Sequence, residues 1–173
     1  MGLRAVWTFR LLYAVLVLTY LFFALLPFDE GIVPAPDLVL CMTFAWVMRR
    51  PDYIPVWLLV PLLLLADALL MRPLGLWTLV VFLMSEYLRR RVDHTEAETF
   101  GSEVVLVASC IVVVFVGNHI ALVLLAAETA PLLGQVLHVF VTIVFYPITA
   151  ILSQLIGVRR LAPGELDTLG TRA

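Results

Sequence analysis

The sequence predicts an all-α polytopic membrane protein with six transmembrane helices, and three observations predict it. Of 173 residues, 63% are hydrophobic and 14% charged, whereas a soluble domain is about half apolar and about a quarter charged. The apolar residues fall in long runs separated by short polar turns. All eleven basic residues are arginines, and they flank those runs. No polar stretch is long enough for a separate soluble domain, so residues 1–173 form a single transmembrane domain with a short polar tail at 161–173. The net charge of −2 is uninformative as a total. Without a basic face apart from the loop clusters, nucleic acid is not an expected partner.

The first span is read over residues 7–28. It follows Arg4 and Arg10, is too long for the apolar core of a signal peptide, and has no cleavage site after it, so it is expected to remain uncleaved. Gly2 is not a myristoylation site, because Val6 stands where Ser or Thr is required. Asp29, Glu30, Gly31 and Pro34 make the first exterior loop. The second run, Leu38 to Met48, is short for a crossing; extended back through Ile32, residues 32–48 just span. Arg49 and Arg50 decide for a crossing, since only a crossing puts them on the side of Arg4 and Arg10.

The third span covers residues 53–71, with Pro55 in its first turn and a local distortion expected at Pro61. The fourth, 74–88, stops at Arg89, Arg90 and Arg91. A polar loop leads to the fifth, 104–127, and a turn at Glu128 and Pro131 to the sixth, 132–158, closed by Arg159 and Arg160. Arg4, Arg10, Arg49, Arg50, Arg89, Arg90, Arg91, Arg159, Arg160 and Arg172 then fall on one side and Arg72 alone on the other. The positive-inside rule makes that majority side, and both termini, cytoplasmic. Trp7, Trp57 and Trp77 lie near span ends, as interfacial anchors do.

The polar residues inside the spans carry what functional signal there is. Asp67 ends the run YIPVWLLVPLLLLAD, five residues before Arg72 and about 7 Å below the exterior boundary at helical rise. It either reaches Arg72, a backbone amide or interfacial water, or lines an exterior-facing cavity or partner site. Glu86, three and four residues before Arg89 and Arg90, has the spacing of a paired carboxylate. Asn118 and His119 on the fifth span and Gln135 and His138 on the sixth fall at comparable depths in the outer half. They predict a polar cluster joining two helices more than a ligand site, and two histidines fall short of a zinc site. Cys41 and Cys110 sit inside apolar runs and read as small buried hydrophobes. No nucleophile–base pattern, phosphate loop or zinc-hydrolase motif is present, so neither enzyme activity nor a cofactor is expected.

Pro36-Asp37-Leu38-Val39-Leu40 opening a short second span, Trp46 with Arg49-Arg50-Pro51 closing it, Asp67 with Pro73-Leu74-Gly75-Leu76, Tyr87 before the arginine stop, and Pro147 ahead of Arg159-Arg160 together carry a likeness. On these the chain resembles the MreD family of bacterial rod-shape-determining membrane proteins, closely over residues 36–91 and elsewhere in length and span number. Where Met71 and Arg72 stand, the family often has a glycine and a small residue. The resemblance implies a multi-pass, non-enzymatic protein of the bacterial inner membrane. Its role would lie in the cell-elongation machinery that directs peptidoglycan synthesis, with MreC as its main partner and links to the MreB filament, RodA and the elongation transpeptidase. The family's fold is similar to the S component of vitamin importers.

The scaffold expectation assigns Asp67, Arg72, Pro73, Gly75, Pro36 and Asp37 to partner contact, and the cytoplasmic turns Arg49, Arg50, Arg89, Arg90 and Arg91 to the filament or anionic lipid. The alternative is an S-component-like subunit that binds a small molecule in an outer pocket of Asp67, Asn118, His119, Gln135 and His138. S components couple through small residues four apart in the first span. Here Ala14 is followed at that spacing by Leu18, which disfavours the alternative.

Overall fold

The computed structural model describes residues 3–26, 35–94, 99–126 and 131–158. Among them the chain is entirely helical: α1 Leu3–Ala24, α2 Leu38–Arg49, α3 Val56–Leu69, α4 Leu76–His94, α5 Phe100–Leu124 and α6 Leu132–Leu155, with a single 3-10 turn, Pro51–Tyr53, between α2 and α3. Asp29, Glu30, Gly31 and Pro34, expected in an exterior loop, the expected Glu128 turn, and Arg159, Arg160, Arg172 and the tail lie outside the described residues, as does the extension of the second run through Ile32.

Three helices, α1 from Arg4, α5 and α6, are long and apolar enough to cross a membrane. The other three differ from the expected spans. α2 has twelve residues and α3 fourteen, about 18 Å and 21 Å at helical rise, against a hydrocarbon core of about 30 Å. α4 has nineteen residues, but Glu86 and three arginines occupy its second half.

The shortness of α2 has a physical reason in where it sits. Ten of its twelve residues are buried, and it is packed by α6, α4, α5, α1 and the 3-10 turn. A helix sheathed in protein has its backbone satisfied internally and its side chains packed, so its length need not match the bilayer. Phe44, Ala45 and Val47 are fully buried on it. Trp46, fully buried, donates Nε1–H to Ser153 Oγ of α6 at 3.1 Å and meets the rings of Tyr13 and Phe9 from α1 and Tyr53 from the turn. Tyr13 and Thr43 share a hydroxyl hydrogen bond of 2.8 Å between α1 and α2. The outer faces of α1, α5 and α6 are instead rich in exposed Leu, Val, Ile and Phe, the reverse of a soluble surface.

Side-chain contacts fix the relative direction of the helices. Arg10 of α1 and Arg89 of α4 both donate to backbone carbonyls of the 51–54 turn. Arg49 at the end of α2 meets Glu103 at the start of α5, and Trp46 meets Ser153 near the end of α6. The start of α1, end of α2, start of α3, end of α4, start of α5 and end of α6 therefore share one end of the bundle. Arg72 lies toward the opposite end with Asp37 and Trp77, and Asp37 is bonded to Thr142 in the first half of α6.

Candidate functional site

The α3–α4 corner is built around Asp67. Its backbone carbonyl accepts the Arg72 N–H at 3.0 Å, while Leu70 N–H bonds Ala66 O. This is the six-residue closure that ends a helix through one left-handed residue. Met71 is that residue, with φ 53° and 92% exposure. Leu76 N–H then bonds Pro73 O, Gly75 turns the chain with φ 83°, and α4 begins.

The carboxylate of Asp67, fully buried, is directed at that beginning. Oδ2 accepts Gly75 N–H at 3.0 Å, Thr78 N–H at 3.2 Å and the Thr78 hydroxyl at 2.8 Å. One residue thus closes α3 with its main chain and caps α4 with its side chain. The N-terminus of α4 supplies unpaired N–H groups and the positive end of its dipole, which is how a carboxylate is stabilised at this depth. Its second oxygen, Oδ1, is buried without a partner among the described residues.

Of the expected environments for Asp67, the backbone amide is the one found. The Arg72 side chain turns elsewhere. Its guanidinium lies 3.8 Å from Asp37 Oδ2 and 4.9 Å from the centre of the Trp77 ring. Asp37 is itself a cap, accepting Leu40 N–H at 3.0 Å on Oδ1, and its own N–H reaches Thr142 of α6 at 3.2 Å. Pro36 is half-buried and accepts the Tyr20 hydroxyl, whereas Pro73 is exposed. The end of the bundle that holds Arg72 therefore carries two helix-capping carboxylates, with one partly exposed arginine beside Asp37.

The expected outer pocket comes together only in part. Asp67 bonds to Gly75 and Thr78 and makes no bond to Asn118, His119, Gln135 or His138. Those four are each half-buried. His138 packs edge-on against Phe115, which packs edge-on against Trp77. His119 Nδ1 is buried without a partner among the described residues.

The expected basic turns divide. Arg90 and Arg91 are exposed, and Glu86 pairs with Arg90 at 3.3 Å and Arg89 at 4.0 Å. Arg50 is buried over the Tyr53 ring, and Arg89 reaches into the 51–54 turn. Arg49 does not belong to an exposed turn. Its Nη1 lies 2.8 Å from Glu103 Oε1, with both side chains fully buried, and the same Glu103 oxygen accepts the Tyr146 hydroxyl at 2.6 Å. Nη1 also donates to Ala45 O at 3.0 Å, while Nε and Nη2 have no partner among the described residues.

Two groups were not singled out from the sequence. Thr78 looks like any threonine in an apolar run, and its only signal is its place three residues after Gly75, at a helix start. Glu103 was one acid among several in a polar loop. Its signal is that the apolar run begins immediately after it.

Compared with protein-family models, curated proteins and solved structures, the chain matches none of them.

Proposed function

We infer that this chain is a non-enzymatic scaffold with six membrane-crossing helices and both termini in the bacterial cytoplasm. In this reading it works as MreD-like proteins do, holding an MreC-like bitopic partner. Through that partner, or directly, it connects the MreB filament with RodA and the elongation transpeptidase to maintain rod shape. The observation that carries this reading is the use made of the buried charges. Asp67 fastens α3 to α4, and Arg49, Glu103 and Tyr146 fasten α2, α5 and α6. Charged groups engaged with one another stiffen a bundle and fix the faces that it presents, which suits docking more than reaction. The sorting of the described arginines, with Arg72 alone at the exterior end, supports the orientation.

The test is co-purification of the MreC-like partner from membranes, together with cell shape. Arg72→Ala removes a partly exposed charge at the exterior corner and is expected to weaken both while leaving the protein inserted. Full partner recovery and normal rods from Arg72→Ala and from Arg90→Ala with Arg91→Ala would remove these residues from partner contact. Absence of any MreC-like protein in the wild-type preparation would overturn the scaffold.

One observation favours a second reading, the small-molecule subunit. His119 Nδ1, buried and unpartnered among the described residues, is in the condition of a group that takes a polar ligand. A vitamin retained stoichiometrically in a native mass spectrum would put this reading first.

A further inference from the structure

The arginine-rich end of α1 carries an arrangement that the scaffold does not require. Trp7 and Trp57 are 56% and 55% exposed, with ring centres 5.8 Å apart. The Arg10 guanidinium lies over both rings, at 5.2 Å and 5.6 Å. Its position is fixed, because Nε and Nη2 both donate to the Asp52 carbonyl, at 3.2 Å and 3.1 Å. Among the described residues Nη1 makes no hydrogen bond and Arg10 pairs with no carboxylate. A cation with no ion-pair partner among the described residues is therefore held over two open indoles, with one amino group still able to donate. The other two tryptophans, Trp46 and Trp77, are buried.

Depth and pattern say what such a group meets. The charge-free run of α1 begins at Leu11, so Arg10 stands at the apolar boundary, where lipid phosphates lie. From there Trp7, Leu11, Val15, Leu18 and Phe22 recur at helical spacing, and all five are exposed. Arg4, exposed and three residues before Trp7, adds positive charge one turn farther out. A phosphate would find a guanidinium and indole N–H groups at one level, and an acyl chain would find an unbroken hydrocarbon stripe leading away from it. A soluble phosphate satisfies only the first half of that description.

We propose that Arg10, Trp7 and Trp57 form a binding site for the phosphate of an acidic phospholipid, with one acyl chain lying along the Leu11–Phe22 stripe of α1. The site depends on α1 lying in a bilayer and is independent of any scaffold partner.

The two exposed tryptophans make the test direct. The full chain is reconstituted in vesicles containing brominated phosphatidylglycerol or brominated phosphatidylcholine, and tryptophan quenching is titrated at low salt. The acidic lipid is expected to quench at about fivefold lower mole fraction, the preference that one interfacial arginine confers. Arg10→Gln is expected to abolish that preference and Arg10→Lys to keep most of it. Trp57→Leu, which leaves the Arg10–Asp52 bonds in place, tests the site if Arg10→Gln does not fold, and should lower the preference about twofold or more. Equal quenching by the two lipids overturns the site, as does an unchanged preference in Arg10→Gln or in Trp57→Leu, the latter being the mark of diffuse charge attraction. In detergent, inorganic phosphate that shifts the fluorescence and resists displacement by phosphatidylglycerol would assign the site to a soluble anion instead.

Discussion

Thr78 gives Asp67 two of the three hydrogen bonds that its carboxylate accepts, one from its backbone N–H at 3.2 Å and one from its hydroxyl at 2.8 Å. The ten residues between them contain the end of one helix, the whole turn and the start of the next. This single pair therefore sets the geometry of the α3–α4 corner.

Asp67→Ala leaves Gly75 N–H, Thr78 N–H and the Thr78 hydroxyl without their acceptor at a buried site. Each lost bond of this kind costs about 1–3 kcal/mol, less where a group finds a new partner. The expected loss is about 2–4 kcal/mol, read as a lower thermal midpoint in detergent. Asp67→Asn keeps one acceptor oxygen and should lose about half as much, and Thr78→Val about 1 kcal/mol. Asp67→Asn is thus the variant that separates partner contact from folding. If Asp67→Ala melts with the wild type, the cap is not what holds the corner.

The buried ion pair gives the second prediction. Removing one member of Arg49–Glu103 strands a charge in an apolar interior, at a cost of about 3–5 kcal/mol. Arg49→Met with Glu103→Leu strands neither, so the double variant should be more stable than either single one. Tyr146→Phe removes only a hydrogen bond to a charged acceptor, about 1.5–3 kcal/mol. A double-mutant cycle on thermal midpoints checks all three. Strict additivity would mean that the pair is not coupled.

The turn supplies the third. Gly75 has φ 83°, and a Cβ there would meet nothing nearer than Leu64 Cδ2 at 3.9 Å. The obstacle to a side chain is conformational, so Gly75→Ala is expected to cost about 1–2 kcal/mol. Met71 occupies the same left-handed region at φ 53° with its side chain in the open. Met71→Gly relieves strain there against added freedom in the unfolded chain, and the net change should lie within about 1 kcal/mol of zero. Equal losses at both positions in a thermal scan would show that φ is not the determinant.

What was legible in the sequence was local. Glu86 stands one helical turn before Arg89 and Arg90, and it pairs with both, because contacts at that spacing follow from helix geometry alone. The helical fold followed from composition, because long apolar runs in lipid must satisfy their own backbone. Asp67 stood out through the cost of its burial, but not its partner, because Arg72 is nearer in sequence than Thr78 and opposite in charge. The structure gives Arg72 to Asp37 and Asp67 to the amides of α4. Arg49 read as a boundary charge, as its sequence neighbours do, and nothing local reveals that Glu103, 54 residues away, lies beside it. The brevity of α2 was plain from Leu38 to Met48. That it is the hub enclosed by the other helices depends on packing that only the assembled bundle provides.

The orientation of the bundle gives the last prediction. Cys41 and Cys110 are buried, so an introduced cysteine reports alone when treated with a membrane-impermeant maleimide. Met71→Cys, at the tip of the α3–α4 turn, should label in intact spheroplasts. Arg90→Cys, whose parent side chain is 77% exposed at the opposite end, should label only after the membrane is opened. The arginine sorting requires this polarity, because Arg10, Arg50 and Arg89 converge on the 51–54 turn while Arg72 sits alone with Asp37 and Trp77. The opposite labelling pattern would invert the chain, placing its basic end outside and the Arg72 corner within the cytoplasm. Labelling of both positions from outside would mean that α4 does not cross, and its charged second half would then lie along the surface.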